Sequence, residues 1–266
     1  FAVSPFNFTA IAGNLCLAPA LMGNTIIWKP SERSMLSAAY IMDLFEAAGL
    51  PPGVINMLPT NDPAAVADVV LGDRNLAGVH FTGSTGTFDH IWRTVGQNVS
   101  NYGAYPRLVG ETGGKDFVFA HPSANVETLI TALIRGAFDF QGQKCSAASR
   151  AYIPQSLFKQ VCDGLQAGVG AIRYGDVTEG THFMGAVIDA RAFDQCVAFL
   201  AHAKETPGHT LIAGAAPDKS EGYFIPPTVI ACDSPTSRLM TEEIFGPILA
   251  LYAYDDDAID QVLDIV

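Results

Sequence analysis

Apolar and polar positions along the first half of the chain favour short strands that alternate with helices. Short apolar runs predict buried strands at 25–28, 54–58, 78–82 and 107–109. Between the first two runs, Leu36, Tyr40, Leu44 and Ala47 recur at helical spacing, and Gly49 ends the predicted helix. Strands that alternate with helices predict an α/β fold built on a parallel sheet.

The same pattern begins again after residue 115. It predicts strands at 116–119 and 150–153, helices at 125–138, 155–171 and 190–202, and a strand-and-turn region at 208–253. The glycine pair Gly113 and Gly114 separates the two halves. We therefore expect two domains, 1–113 and 114–266.

The first 28 residues carry no charge, which raises the question of a membrane span. This stretch contains two prolines, two glycines and three asparagines, a combination that spanning helices rarely carry. It also lacks the basic start of a signal peptide. We therefore expect buried globular structure and no membrane partner.

Composition narrows the class of protein further. Apolar residues make up 49% of the chain and charged residues 16%, which predicts a substantial core rather than disorder. The net charge of −12 argues against nucleic acid as a partner, because no basic field exists to replace its counterions. Five cysteines without a Cys-x-x-Cys pair indicate a reducing compartment. The six histidines have no ligand spacing, so no metal site is predicted.

Residues 140–146, Phe-Gln-Gly-Gln-Lys-Cys-Ser, contain a candidate nucleophile in Cys145. A cysteine attacks as its thiolate, and a free thiol has a pKa of about 8.5. Lys144 offers a neighbouring cation, and Gly142 leaves the backbone open to approach. The alternative is an inert core cysteine, which is common in soluble proteins.

Gly83 and Ser84 lie between a predicted strand and a predicted helix. A glycine turn at this point lets backbone N–H groups and the positive end of the helix approach a phosphate. An ordinary turn before a helix is the alternative.

Lys29 and Glu32 follow the carboxyl end of a predicted strand, where nucleotides bind in open α/β sheets. A carboxylate there can accept hydrogen bonds from ribose hydroxyls and would repel a 2′-phosphate. A solvated surface pair is the alternative.

Two further polar side chains suit acyl chemistry. Glu111, which we place in a glycine-flanked turn, could act as a general base for water. Asn7, between Phe6 and Phe8, could donate its amide N–H₂ to a developing oxyanion. A solvated carboxylate and a simple turn residue are the respective alternatives.

Four stretches, taken with the Cys145 segment, resemble the NAD(P)-dependent aldehyde dehydrogenase superfamily. They are Ser-Pro-Phe-Asn-Phe at 4–8, Ile-Ile-Trp-Lys-Pro-Ser-Glu at 26–32, Gly-Glu-Thr-Gly-Gly-Lys at 110–115 and Glu-Glu-Ile-Phe-Gly-Pro at 242–247. The resemblance runs in unbroken order from Ser4 to the last residue. Its details are similar to the Δ1-pyrroline-5-carboxylate (glutamate γ-semialdehyde) dehydrogenase branch. That branch shares Phe88 at a position where the wider family has a glycine.

The resemblance implies roles for the residues of the reaction. Cys145 would be the nucleophile, Glu111 the base that activates water, and Asn7 an oxyanion donor together with the Cys145 backbone. Phe8 would pack on the aliphatic part of the substrate, and Ser146 would donate to its carboxylate.

The resemblance also implies NAD as the cofactor. Six residues would contact it at three places: the adenosine ribose through Lys29 and Glu32, the pyrophosphate through Gly83 and Ser84, and the nicotinamide ribose through Glu243 and Phe245. The expected architecture is a Rossmann-type NAD-binding domain at 1–113, incomplete at its N-terminus, and an α/β catalytic domain at 114–266, incomplete at its C-terminus.

The implied reaction is oxidation of L-glutamate γ-semialdehyde to L-glutamate, with a small-molecule substrate and a homo-oligomeric full-length enzyme. Members of the family are longer at both ends, so we expect an internal portion of such an enzyme. The bacterial cytoplasm and the mitochondrial matrix are both open as locations. Two alternatives remain open: a dehydrogenase for another semialdehyde, and a catalytically silent nucleotide-binding relative.

Overall fold

The computed structural model describes all residues, 1–266. The chain divides into two compact units, Phe1–Gly113 and Gly114–Val266, which we call the N-terminal unit and the C-terminal unit. The functions expected of the two units stay predictions.

A five-stranded sheet forms the centre of the N-terminal unit. Its strands are β1 Ala2–Ser4, β2 Ile26–Pro30, β3 Ile55–Met57, β4 Gly78–Thr82 and β5 Arg107–Glu111. All neighbouring strands are parallel, in the order β3-β2-β1-β4-β5. The helices between them are α1 Thr9–Leu21, α2 Met35–Ala47, α3 Pro63–Gly72 and α4 Thr85–Gln97. The predicted α/β fold with a parallel sheet is confirmed.

Side chains in this unit explain where its elements begin and how they pair. Asp62 caps α3 by accepting a hydrogen bond from the Ala65 backbone N–H, and Pro63 occupies the first helical position. Trp28 is fully buried in β2, and its indole N–H donates to Ser4 Oγ in β1 at 3.0 Å. That bond satisfies two buried polar groups and fixes β2 beside the central strand.

In the N-terminal unit, one predicted helix is confirmed and one helix was not predicted. The helix expected around Leu36, Tyr40 and Leu44 forms as α2, with these three side chains exposed. Ala38 and Ile41 face the core instead, because α2 is apolar on most of its surface and spacing alone does not select the buried face. Helix α1, with Leu15 and other residues buried, was not predicted at all.

The C-terminal unit contains a second five-stranded sheet. Its strands are β6 Phe117–Phe119, β7 Arg150–Pro154, β8 His209–Ala213, β9 Thr228–Cys232 and β10 Ile248–Tyr254. Their order is β6-β7-β10-β9-β8, with only β8 antiparallel. The helices are α5 Val126–Phe138, α6 Gln155–Gly170, α7 Ala190–Glu205, α8 Arg238–Thr241 and α9 Ile259–Leu263.

Helices cover both faces of this second sheet, so its central strands are buried. Two apolar clusters result: one contains Leu133 of α5, Leu165 of α6 and Leu249 of β10, and the other contains Phe199 of α7 and Ile248 of β10. The short helix α8 lies in the region predicted to consist of strands and turns. No helix of the protein is both long enough and apolar enough to cross a bilayer.

Candidate active site

The segment that carries Cys145 has an unusual backbone. It follows α5, and three consecutive residues, Phe140, Gln141 and Gly142, have φ values of +52°, +58° and +64°. Residues other than glycine rarely adopt this left-handed backbone region, and each residue that does so costs about 1–3 kcal/mol of stability. Such a conformation persists only where the surrounding structure holds it.

Two buried glutamine side chains hold the segment. Gln143 is 2% exposed, and its Oε1 accepts a hydrogen bond from the Ile188 backbone N–H at 2.8 Å. The amide of Gln141 is also buried and lies between the Phe140 carbonyl and the Gly185 backbone N–H. Sequence reasoning assigned neither residue a role, although two glutamines around a glycine beside a candidate nucleophile were a visible signal.

Gly142 brings this segment against the predicted Glu-Glu-Ile-Phe-Gly-Pro motif. A Cβ at Gly142 would lie 2.5 Å from the Gly246 carbonyl oxygen and 2.8 Å from that of Ala137. Phe245 has φ +55°, and the neighbouring Ile244 carbonyl accepts from Gln195 Nε2 at 3.1 Å. The motif is therefore fixed by α7 on one side and the Cys145 segment on the other.

Glu243 and Cys145 both lie beside Gly114. The Gly114 backbone N–H donates to Glu243 Oε1 at 3.1 Å. A Cβ added to Gly114 would lie 3.1 Å from the Cys145 carbonyl oxygen. Ser146, the next residue, is exposed. The C-terminal unit thus brings together the predicted nucleophile and a predicted cofactor carboxylate.

The cation expected to assist Cys145 is itself paired. Lys144 Nζ lies 2.5 Å from Asp139 Oδ2, and both side chains are partly exposed. The carboxylate neutralises much of the Lys144 charge. This ion pair also ties the first residue of the 3₁₀ turn Asp139–Gly142 to the residue before Cys145.

The other four cysteines are poor candidates for a nucleophile. Burial raises the pKa of Cys16 and of Cys162 to about 11, and that of Cys196 to about 12. Burial also raises the pKa of Cys232. A raised pKa leaves almost no thiolate at neutral pH, so these four cysteines are unsuited to act as nucleophiles.

In the N-terminal unit, Lys29 and Glu32 flank the carboxyl end of β2. Lys29 is 8% exposed, and burial lowers its pKa, while the nearby Glu32 carboxylate opposes that shift. Glu32 begins the short 3₁₀ helix Glu32–Ser34 and is exposed. A buried cation beside an exposed carboxylate suits recognition of hydroxyl groups on a ligand.

Gly83 and Ser84 join β4 to α4, as predicted. Ser84 is the N-cap: its Oγ accepts from the Thr87 backbone N–H at 3.3 Å. Both Ser84 and Gly86 are exposed, and nothing lies within 4 Å of a Cβ added at Gly86. The first turn of this thirteen-residue helix is therefore open to an anion such as a phosphate.

Phe88, at the position that the resemblance to the dehydrogenase branch singled out, fills space beside β5. Its ring stacks on Phe81 with centroids 5.3 Å apart, and it occupies the position that a side chain at Gly110 would need. Gly110 and Phe88 therefore form a matched pair.

Glu111 is the last residue of β5 and not part of a turn, so that local prediction was wrong. The strand continues through Gly110 because Phe81 and Thr82 of β4 supply pairing partners for its last two residues. The Glu111 carbonyl accepts from the Gly83 backbone N–H at 3.1 Å, and the residue is exposed.

Asn7 and Phe8 follow β1, the central strand of the sheet. Phe8 is half-buried at the N-cap of α1, and the Asn7 side-chain oxygen is buried. Because β1, β2, β4 and β5 are parallel, the residues predicted for this unit all lie at the carboxyl edge of the sheet. In doubly wound sheets, ligands bind at this edge.

The structure contains no group of three or more His, Cys, Asp or Glu side chains that could hold a metal ion. In the C-terminal unit, the half-buried Cys145 thiol suits nucleophilic chemistry. In the N-terminal unit, the Asn7 amide and the Glu111 carboxylate are group types that suit acyl chemistry, and the open turn with Lys29 and Glu32 suits a nucleotide.

Comparison with known proteins identifies the family of this chain. The chain matches the aldehyde dehydrogenase family over residues 1–266, and it belongs to that family.

Within the family, the chain is similar throughout to Δ1-pyrroline-5-carboxylate dehydrogenases. It is 45% identical to the human mitochondrial enzyme over 267 residues, which cover 100% of this chain and 47% of the relative. The structure of the Mycobacterium tuberculosis enzyme bound with NAD has a TM-score of 0.93 and 54% identity, over 99% of this chain and 48% of that one. The Thermus enzyme with bound NAD has a TM-score of 0.92 and 30% identity, over 99% of this chain and 50% of that one.

The family and branch inferred from the motifs are confirmed by these matches. The chain spans about half the length of the relatives it matches.

Proposed function

We propose that the full-length parent of this chain is an NAD-dependent dehydrogenase that oxidises L-glutamate γ-semialdehyde to L-glutamate. The observation that carries the proposal is the position of Cys145. It lies in the segment 140–146, whose strained backbone at 140–142 is held against the Gly246 turn, and it lies beside Gly114, whose N–H donates to Glu243. The end-to-end similarity to Δ1-pyrroline-5-carboxylate dehydrogenases supports the choice of substrate.

The first half of the reaction uses Cys145 and Asn7. The Cys145 thiolate adds to the aldehyde carbon, a carbon–sulfur bond forms, and the carbonyl oxygen becomes an oxyanion. The Asn7 amide N–H₂ and the Cys145 backbone N–H donate hydrogen bonds to that oxyanion. Bound NAD supplies the acceptor for the hydride that leaves the same carbon, which becomes a thioester.

Glu111 acts in the second half of the reaction, the hydrolysis of the thioester. Its carboxylate takes a proton from water while the water oxygen attacks the thioester carbon. The carbon–sulfur bond then breaks, which regenerates the thiolate and releases the acid. The exposure of Glu111 at the end of β5 supports this role, since a base for water must have access to solvent.

For the cofactor, Lys29 and Glu32 would contact the adenosine ribose, Gly83 and Ser84 the pyrophosphate, and Glu243 and Phe245 the nicotinamide ribose. The fit is supported by the open first turn of α4 and by the exposed Glu32 carboxylate. That carboxylate would repel a 2′-phosphate, so NAD is preferred over NADP.

Ser146 and Phe8 would recognise the substrate. The Ser146 hydroxyl is exposed directly after the nucleophile, where it can donate to the α-carboxylate of the semialdehyde. Phe8 would pack along the methylene groups. The homo-oligomeric state, and a bacterial cytoplasmic or mitochondrial matrix location, stay predictions.

The test is NADH production by the full-length protein with glutamate semialdehyde, succinic semialdehyde and propanal. We expect the highest kcat/KM with glutamate semialdehyde and a preference for NAD. Ser146→Ala should lower kcat/KM for glutamate semialdehyde about ten- to a hundred-fold and leave propanal nearly unchanged, because only the first carries a carboxylate. If the wild-type protein prefers another aldehyde, the proposed substrate is wrong. If Ser146→Ala lowers kcat/KM equally for glutamate semialdehyde and propanal, Ser146 shapes the loop and does not bind the substrate carboxylate.

A further inference from the structure

Cys145 lies between two buried stretches of the chain. Residues 141–143 before it and 147–148 after it are buried, whereas 144–146 are partly or fully exposed. The thiol is thus carried on a short turn whose two ends are enclosed by the rest of the unit. Its position therefore depends on the contacts that hold these two ends.

The end after Cys145 is held on α5 through backbone groups. The Ala148 N–H donates to the Gly136 carbonyl at 2.9 Å, and a Cβ added to Gly136 would lie 3.0 Å from that of Ala148. The Ala147 N–H donates to the Lys144 carbonyl at 3.1 Å, which closes the turn. These bonds join main-chain groups, so the substitution of a side chain does not remove them.

The end before Cys145 is held by the side chain of Gln143, which is 2% exposed. Its Oε1 accepts a hydrogen bond from the Ile188 backbone N–H at 2.8 Å, and its Nε2 donates to the Phe140 carbonyl at 3.4 Å. The first of these bonds reaches a part of the unit that lies 45 positions further along the chain. Gln143 therefore anchors this end of the turn to the segment 184–188.

The segment 184–188 has supports of its own. The Val187 N–H donates to the Tyr223 carbonyl at 2.9 Å, and the Met184 carbonyl accepts from the Gly175 N–H at 3.1 Å. The side chains of Met184 and Val187 are buried in the two apolar clusters of the unit. None of these contacts involves Gln143, so the segment can serve as a fixed support for it.

We propose that Gln143 is a positioning residue for Cys145: the hydrogen bond that its side chain accepts from the Ile188 N–H fixes the turn from which the thiol attacks. This inference rests on the proposed function, which assigns the attack to Cys145. Attack requires the reacting atoms to lie about 3–3.5 Å apart, and a misplacement of about 1 Å can cost about a hundredfold in rate. Loss of this anchor should therefore appear in the rate of the first chemical steps.

The experiment measures NADH formation by the full-length protein in a single turnover, with saturating NAD and less glutamate semialdehyde than enzyme. This rate reports the steps up to hydride transfer without product release. Gln143→Met removes both side-chain hydrogen bonds at nearly constant size. Gln143→Glu keeps an oxygen that can accept the Ile188 N–H. Calorimetry gives the NAD dissociation constant of each protein.

Tyr254→Phe is the matched control. The hydroxyl of the buried Tyr254 donates to the Ala120 carbonyl in the same unit, so this variant also loses one buried bond from a side chain to the backbone. Tyr254 ends β10, whereas Cys145 precedes β7, and the two strands are parallel, so the lost bond lies at the opposite edge of the sheet. A loss of rate that follows from lower stability alone would appear in this variant as well.

We expect Gln143→Met to lower the single-turnover rate at least about tenfold and to leave the NAD dissociation constant unchanged. Gln143→Glu should lose less, and Tyr254→Phe should keep the parent rate. The parent rate in Gln143→Met, or an equally large loss in Tyr254→Phe, would overturn the inference while leaving the proposed function intact. Absence of NADH formation by the parent protein, or its persistence in Cys145→Ala, would overturn both.

The pH profile of Gln143→Glu separates positioning from a structural role. A protonated glutamic acid matches glutamine, since it offers one acceptor oxygen and one O–H donor. Burial favours this neutral form, and protonation increases as the pH falls. The rate of Gln143→Glu relative to the parent should therefore rise as the pH is lowered from 8 to 6, because any pH dependence of the reaction itself is common to both proteins. If Gln143→Met fails to fold, this profile decides the matter, and a constant ratio would overturn the inference.

Discussion

In the N-terminal unit three of the proposed site residues are exposed at or just after strand ends, whereas in the C-terminal unit the Cys145 segment is enclosed. Glu32, Ser84 and Glu111 are exposed. By contrast, Gln141 and Gln143 are buried, and Gly142 leaves no room for a Cβ. The parallel strands alone bring Glu32, Ser84 and Glu111 to one edge of the sheet. The positions of Gln141, Gly142 and Gln143 depend on packing from several elements.

This difference teaches which substitutions each region tolerates. At a strand end, a change affects the contact that is lost and little else. In the Cys145 segment, a change displaces backbone that also fixes the Gly246 turn, so it should reach the nucleophile. We expect the two regions to separate in kinetics: changes in the Cys145 segment should lower kcat, and changes at the cofactor contacts Glu32 and Ser84 should raise the KM for NAD.

The largest effect is expected from Gly142→Ala. Alanine is strained at φ +64°, and its Cβ would lie 2.5 and 2.8 Å from two carbonyl oxygens. The segment must shift, and a displacement of about 1 Å can cost about a hundredfold in rate. Steady-state kinetics of the full-length protein should show at least that loss in kcat. Gly170→Ala is the control, since nothing lies within 4 Å of its added Cβ; an unchanged kcat in Gly142→Ala would remove the contrast between the regions.

A smaller effect is expected from Ser84→Gly in the N-terminal unit. Glycine is an acceptable N-cap, so stability should fall by only a few tenths of a kcal/mol. The lost hydroxyl contact to the pyrophosphate should raise the KM for NAD about fivefold with kcat unchanged. Initial rates at varied NAD concentration measure both quantities. A fall in kcat with constant KM would show that Ser84 serves the chemistry and not the cofactor.

The contrast also explains what the sequence could predict. The α/β fold, the parallel sheet and the position of Ser84 at a helix start follow from local patterns. Spacing could not tell which face of α2 is buried, because Leu36 and Ile41 are both apolar and only the sheet decides between them. The hydrogen bond from the Ile188 backbone N–H to Gln143 joins residues 45 positions apart in the sequence, so no local pattern could predict it. Likewise, the position of Lys144 next to Cys145 in the sequence does not predict that its ammonium pairs with Asp139.

The most direct test of the account is to trap the thioester. Glu111→Gln in the full-length protein should form it and hydrolyse it slowly, so protein quenched after mixing with NAD and glutamate semialdehyde should carry an acyl group. Mass spectrometry of the digested protein should find that group on Cys145, together with one equivalent of NADH per site. An acyl group on Cys162, or NADH without any acylated cysteine, would contradict the assignment of Cys145 as the nucleophile.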